Sequence, residues 1–162
     1  LVWTAANLRF GRARLPGGHN LATLGLVGLT ILAGAFVAGM DAGLLYNEYP
    51  LMGDGLIPYE YGEKGIWDAF DNPASAQFHH RWIAVLAVIA VIGLIRKLYK
   101  TGQNRLGNAL GAIVFIQFGL GLTTLLLSVP VWAGALHQTG AVLLLAATLL
   151  ATHRLGVASQ SS

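Results

Sequence analysis

The chain contains no cysteine, and only 10% of its 162 residues are charged. The first absence excludes disulfides, thiolate zinc sites and cysteine-held iron–sulfur clusters, and it leaves the redox compartment unmarked. The second is more restrictive. A soluble domain carries about 25% charged residues, and a tenth is too little to cover a surface that faces water. A conventional soluble enzyme and a disordered tail are excluded on that ground. A nucleic-acid partner is excluded as well: the net charge is +3, but the ten lysines and arginines form no basic cluster. An initiating methionine is also missing, and a chain that starts at Leu1 is expected to be a fragment or a processed product.

What is present is apolar. Hydrophobic residues make up 55% of the chain and are gathered in long runs. A bilayer core of about 30 Å takes roughly 20 residues of helix. Four stretches meet that length, over about 20–40, 76–97, 106–128 and 131–152. The first and third carry no charge, and the fourth holds only His137. The second is apolar from Phe78 to Ile95 apart from His79, His80 and Arg81. A signal peptide would account for one run at most, and the first run lacks an A-x-A cleavage pattern. Leu1 to Leu8 is apolar but too short to span, and residues 1–19 read as a cytoplasmic segment with the end of a preceding helix. The expected fold is an all-α membrane protein, a four-transmembrane-helix bundle over 20–155, with 156–162 as a cytoplasmic tail.

The charges give these spans a direction. Arg9, Arg12 and Arg14 precede the first span, Arg96, Lys97, Lys100 and Arg105 separate the second from the third, and Arg154 follows the fourth. All seven acids lie between Asp41 and Asp71, offset there only by Lys64. The positive-inside rule then puts both termini and the 96–105 loop in the cytoplasm or matrix, and the acidic 41–75 loop outside. Aromatic residues of that loop, among them Tyr46, Tyr59 and Trp67, suit an interface. Glycines such as Gly107 and Gly111 let helices approach closely in lipid.

Ionisable residues inside a bilayer are costly and mark function. Asn72-Pro73 reads as an N-cap followed by proline at the first helical position, and Pro130, with Ser128 nearby, is expected to start the fourth helix in the same way. His80 lies seven residues after Pro73, and His137 seven after Pro130. Each is then about 10 Å into its helix from the same membrane face. Two imidazoles at one depth on separate helices suit bis-histidine ligation of a haem. Ala84, Ala87, Gly134, Gly140 and Ala141 on the same faces leave room for a flat ring. His79 competes with His80, because neighbouring helical positions point about 100° apart, and periodicity alone does not choose. Arg81 is a candidate partner for a haem propionate or a residue that snorkels at the interface. Asp41 is expected to cap the first span or bind a ligand, the cap being favoured, and Met52 to make an interface contact.

The residues Ala33-Gly34-Ala35-Phe36-Val37-Ala38-Gly39-Met40-Asp41-Ala42-Gly43-Leu44, Tyr46-Asn47, Pro50-Leu51-Met52, Gln77-Phe78-His79-His80-Arg81 and Leu136-His137-Gln138 resemble the haem A synthases of the alphaproteobacterial and mitochondrial type. The resemblance runs from about residue 20 to 155. It implies an eight-helix membrane enzyme of two similar four-helix halves, which oxidises a methyl group of haem O to the formyl group of haem A for cytochrome oxidase assembly. This chain is similar to the C-terminal half, implied to hold a haem b cofactor. In the family motif the ligand immediately precedes arginine, which selects His80 over His79; the second ligand carries over to His137, and Arg81 is implied at the cofactor.

The family's other half has a glutamate three residues before its first histidine. The corresponding residue here is Gln77, and an amide cannot cycle a proton as a carboxylate does. The resemblance therefore implies an oxidoreductase whose present half is not active alone. The implied partners are the N-terminal half of the same enzyme, haem O as substrate, a haem O synthase, an electron donor, the lipid bilayer and a second copy in a homo-oligomer. A self-contained bis-histidine cytochrome b-type electron carrier and a haem-free assembly or scaffold protein are the alternatives.

Overall fold

The computed structural model describes residues 1–158. It is all-helical apart from one isolated bridge between Met52 and Gly55. The helices are α1 (Val2–Phe10), α2 (Gly18–Gly39), the single turn α3 (Asp68–Asp71), α4 (Pro73–Lys100), α5 (Asn104–Leu126) and α6 (Val131–Ala158). Of these α2, α4, α5 and α6 are each long and apolar enough to cross a membrane. Residues 159–162, the end of the expected tail, lie outside the described residues.

The four long helices run up and down. Helix α2 packs on α4, α4 on α5, α5 on α6, and α6 back on α2, closing a four-helix ring. The bundle is apolar outside: Leu29, Leu32, Ile89, Phe115, Ile116 and Val142 are exposed. Inside it are buried polar residues, among them Thr23, Gln77, Gln117 and Thr148. In water this distribution would be unstable; in lipid, which is itself apolar, it is the expected one. The buried Thr23 and Thr148 hydroxyls are satisfied within their own helices, donating to the carbonyls of His19 and Leu144 at 2.8 and 2.7 Å.

The local signals at the helix starts are met unequally. Asn72 caps α4, its Oδ1 accepting from the N–H groups of Ala74 and Ser75, with Pro73 at the first helical position. Pro130 departs from the expectation. Helix α6 begins at Val131, and the Pro130 carbonyl accepts from the N–H groups of Ala133 and Gly134, both at 3.0 Å. The reason lies in the turn before it. Ser128 and Val129 are both left-handed, at φ 58° and 57°, and the Val129 N–H donates back to the Thr124 carbonyl at 2.8 Å. Ser128 is thereby used in the turn, and proline becomes the residue before the helix. Asp41 caps the end of α2 through its backbone: it takes the left-handed conformation just past the helix, and its N–H donates to the Ala38 carbonyl at 3.4 Å.

Helix α1 folds back on the far end of α6. The His153 ring is fully buried, its Nε2–H donates to Asn7 Oδ1 at 2.8 Å, and the Trp3 ring meets it edge-on. The Arg14 N–H donates to the Gly156 carbonyl. A contiguous apolar core containing Val91, Leu94, Leu98, Leu110 and Leu155 fills this same end of the bundle. Its members nearest the other end are Val27, Ala87, Val114 and Leu144, about two turns short of His80 and His137.

Candidate functional site

Where that core stops, the bundle interior is built from histidine, glycine and amides. The His80 ring on α4 lies against Gly34 on α2; a Cβ on Gly34 would sit 3.0 Å from His80 Cε1. The His137 ring on α6 lies against Gly121 on α5, where a Cβ would come within 2.7 Å of Cε1. Each glycine thus makes room for one imidazole. One turn along each first helix sits the partner of the ring's Nδ1. His80 Nδ1–H donates to the Thr30 carbonyl at 3.1 Å. Gln117 Nε2 lies 3.0 Å from His137 Nδ1 and 2.9 Å from the His137 carbonyl. Thr30 and Gly34 stand to His80 as Gln117 and Gly121 stand to His137, with the same spacing of four in each pair.

The two imidazoles meet across the bundle, with ring centroids 6.5 Å apart and planes at 87°. Two imidazole–metal bonds of about 2 Å each, laid in line between two rings, put the ring centres roughly 6 Å apart. The rings are therefore at the spacing that one shared iron requires. Among the described residues no group of three or more His, Cys, Asp or Glu side chains is gathered for a metal. An iron that brings four porphyrin nitrogens needs only two more ligands, and two facing imidazoles are residues that could supply them.

His79 is directed elsewhere. Its Nε2 is 3.2 Å from the Tyr61 hydroxyl, and its ring packs on Tyr61 and Phe78. Arg81 holds three loop carbonyls: its guanidinium donates to Glu48 at 2.9 Å, Leu51 at 3.0 Å and Tyr46 at 2.7 Å. Its Nε is buried with no partner. Gln77 is buried, and its Nε2 donates to the same Tyr46 carbonyl at 3.0 Å.

The 40–72 loop is fastened over this end of the bundle at three further points. Gly43 accepts the methyl of Val129, which would lie 2.7 Å from any Cβ placed there. Asn47 Nδ2 donates to the carbonyls of Gly43 at 2.7 Å and Leu125 at 3.0 Å, joining the loop to the end of α5. Asp68 is only 5% exposed and accepts from the Gly62 and Lys64 N–H groups, from Asn72 Nδ2 and from the Ser75 hydroxyl. Burial alone would raise the Asp68 pKa; the hydrogen bonds from Ser75, Gly62, Asn72 and Lys64 outweigh it and bring the carboxyl down to about 2. The Tyr46 hydroxyl donates to Glu60 at 2.7 Å, and that bond is the main cause of its raised pKa.

Gly121, Thr30, Gln117 and Asp68 carry no site role in the sequence pattern, and Gly34 enters it only as a span glycine of the family string. Gln117 carried the one available signal, an amide in the middle of an uncharged span.

The profile of the COX15–CtaA family, described as cytochrome oxidase assembly protein, matches residues 1–149. The chain belongs to this family. It is 40% identical to heme A synthase of Caulobacter vibrioides, over 90% of this chain and 46% of that protein. With heme A synthase of Granulibacter bethesdensis the identity is 42%, over 100% of this chain and 45% of the relative. With human heme A synthase COX15 it is 37%, over 91% and 40%. The chain thus spans less than half the length of these relatives. No solved structure matches it. Family and fold together make it an integral membrane protein.

Proposed function

We propose that this chain is the haem b-binding half of a haem A synthase, which oxidises the methyl group of haem O to the formyl group of haem A. His80 and His137 would hold one haem b through their imidazoles. The observation that carries this reading is the facing pair of imidazoles at 6.5 Å, each seated on a glycine of its hairpin partner. The relatives named heme A synthase support this reading, and the description of the family supports a place in cytochrome oxidase assembly.

The chain's own residues do the following. Thr30 fixes the Nδ1 proton of His80, which leaves Nε2 as the ligating nitrogen. Gly34 and Gly121 let the two helices of each hairpin approach closely enough to seat one imidazole between them. Arg81 ties the loop down and has its Nε left for a haem carboxylate. The fastened loop and the surrounding apolar helices keep water from the site. When bound, a bis-imidazole haem passes single electrons and has no open position for oxygen. Gln77 at the place of the family's glutamate offers no carboxylate, so proton handling and the substrate haem belong to the N-terminal half. That half is the obligate partner, and haem O synthase, an electron donor and a second copy are further partners. In this orientation both termini face the cytoplasm or matrix, and the 41–75 loop faces outward.

The test is to express residues 1–162 alone, and with the other half, in a strain that makes haem O and lacks its own synthase. Extracted haems should include haem A only on co-expression. Haem A from this chain alone would overturn the division of labour. Absence of haem b from the purified chain would overturn the cofactor assignment.

A further inference from the structure

The two histidines are held by different chemistry, and the difference has a consequence for how the second one binds. The Thr30 carbonyl can only accept, so His80 carries its proton on Nδ1 and presents a lone pair at Nε2. Gln117 can either donate or accept. As placed, its amino group lies between His137 Nδ1 and the His137 carbonyl, at 3.0 and 2.9 Å. An amino group offers only protons there, so Nδ1 must hold the lone pair and Nε2 the proton. In that tautomer neither ring nitrogen is available to a metal: Nδ1 is engaged, and Nε2 is protonated.

The other end of the amide shows the strain of this arrangement. Gln117 is 9% exposed, and its Oε1 is buried without a hydrogen-bond partner. An unpaired buried carbonyl oxygen costs free energy and calls for an explanation. Oε1 points at Gly140, and any side chain at that position would overlap it. Gly140 lies one turn beyond His137 on α6, so the amide occupies a slot that only glycine leaves open. The slot admits the amide in either orientation, because its two ends are nearly the same size.

We infer that Gln117 is the positioning residue of His137, and that its amide must turn its carbonyl to Nδ1–H before His137 can ligate iron through Nε2. This rests on the haem-binding reading above. Turning relieves one conflict and creates another. The Nδ1 proton gains an acceptor, while Oε1 comes to face the His137 carbonyl. Ligation through His137 Nε2 needs the carbonyl-inward form, which places Oε1 beside the His137 carbonyl and leaves the amino group facing Gly140. His80 is held by an acceptor that cannot change, and His137 by an amide that can turn. His137 is then the weaker and more readily lost of the two axial ligands. A glutamate at 117 has acceptor oxygens only and nearly the same shape. It holds His137 permanently in the ligating tautomer and, as an anion, makes the imidazole a stronger donor.

The test uses the purified membrane protein titrated with iron protoporphyrin IX, wild type against Gln117→Glu and Gln117→Leu. The readouts are haem affinity, spin state and midpoint potential. Gln117→Leu should weaken haem binding by about 10- to 100-fold, the usual cost of losing such a partner, and raise the high-spin fraction. Gln117→Glu should keep the haem six-coordinate and low-spin with a lower midpoint potential. If Gln117→Leu does not fold, Gln117→Met takes its place, since it keeps the length of the side chain and removes both polar ends; a purely structural amide would leave the low-spin fraction and the haem affinity unmoved in it. A potential, spin state and affinity unchanged in Gln117→Glu would overturn the inference while leaving the haem assignment intact. A wild-type protein that takes up no low-spin haem, or a His137→Ala variant that remains six-coordinate, would instead overturn the reading on which the inference rests.

Discussion

The bundle is made of two hairpins that solve one problem with different means. In the first, α2 and α4 are joined by the long 40–72 loop; in the second, α5 and α6 are joined by the tight turn 127–130. Both place a histidine early in the returning helix, opposite a glycine of the outgoing one, with a polar partner one turn away. His80 is the eighth residue of α4 and His137 the seventh of α6, an offset of about 1.5 Å along the axis. The similarity of the two hairpins fixes where the rings meet. Their difference fixes how each ring is held: a backbone carbonyl cannot turn, and a glutamine can.

The largest effects should come from removing a ring. His80→Ala or His137→Ala should abolish haem binding or leave a five-coordinate haem, because the proposed site has two protein ligands and each variant removes one. His79→Ala should retain the low-spin haem, since that ring is committed to Tyr61. Absorption spectra of the three purified variants check this. Retention of haem by His80→Ala with loss in His79→Ala would move the ligand by one residue and break the correspondence between the hairpins.

Filling the glycine seats should come next. Gly121→Val and Gly34→Val both push a side chain into an imidazole, and overpacking of this kind costs about 1–3 kcal/mol. The closer approach at Gly121 predicts the larger loss of haem there, 2.7 Å against 3.0 Å for the added Cβ. Haem content at equal expression is the measurement. Equal tolerance of valine at both positions would show that the rings do not rest on these residues.

The long loop of the first hairpin can be released without touching either ring. Asp68→Asn replaces a charged acceptor of several hydrogen bonds with a neutral one, and bonds to a charged group are worth about 1.5–3 kcal/mol each. Its pH dependence has a definite sign. The folded pKa, about 2, lies below the 3.8 of an ordinary aspartate. The carboxylate therefore contributes its full stabilisation above about pH 4 and loses it as the pH falls toward 2. Protease cleavage within 50–70 should rise over that window in the native protein. In Asp68→Asn cleavage should be high at neutral pH and should not rise further. A smaller effect is expected from Tyr46→Phe, which removes one hydrogen bond to Glu60 worth about 1 kcal/mol.

Much of this comparison is legible in the amino-acid sequence, and the rest is not for identifiable reasons. The long helices follow from uncharged runs, which depend on composition alone. The start of α4 follows from Asn72-Pro73, a signal confined to neighbouring residues. The shared depth of His80 and His137 follows from counting along two helices. Pro130 was misplaced by one residue because the turn before it is set by two left-handed residues, and Val129 is a residue type that rarely takes that conformation. Gly34 and Gly121 were not distinguishable from the other span glycines, because which glycine faces a histidine depends on the register between helices. The contact of Asn7 with His153 joins residues at opposite ends of the chain and has no local signature. Asp68 looked like one acid among seven; its burial depends on the path of a loop that has little regular structure.

The central claim is that one haem is held between the hairpins by His80 and His137. The most direct test is the low-temperature electron paramagnetic resonance spectrum of the ferric purified protein. Rings that keep their planes near the observed 87° predict a highly anisotropic low-spin signal, the signature of axial imidazoles set at a right angle. That signal should vanish in both His80→Ala and His137→Ala and persist in His79→Ala. A low-spin signal that survives replacement of either His80 or His137 would contradict the account.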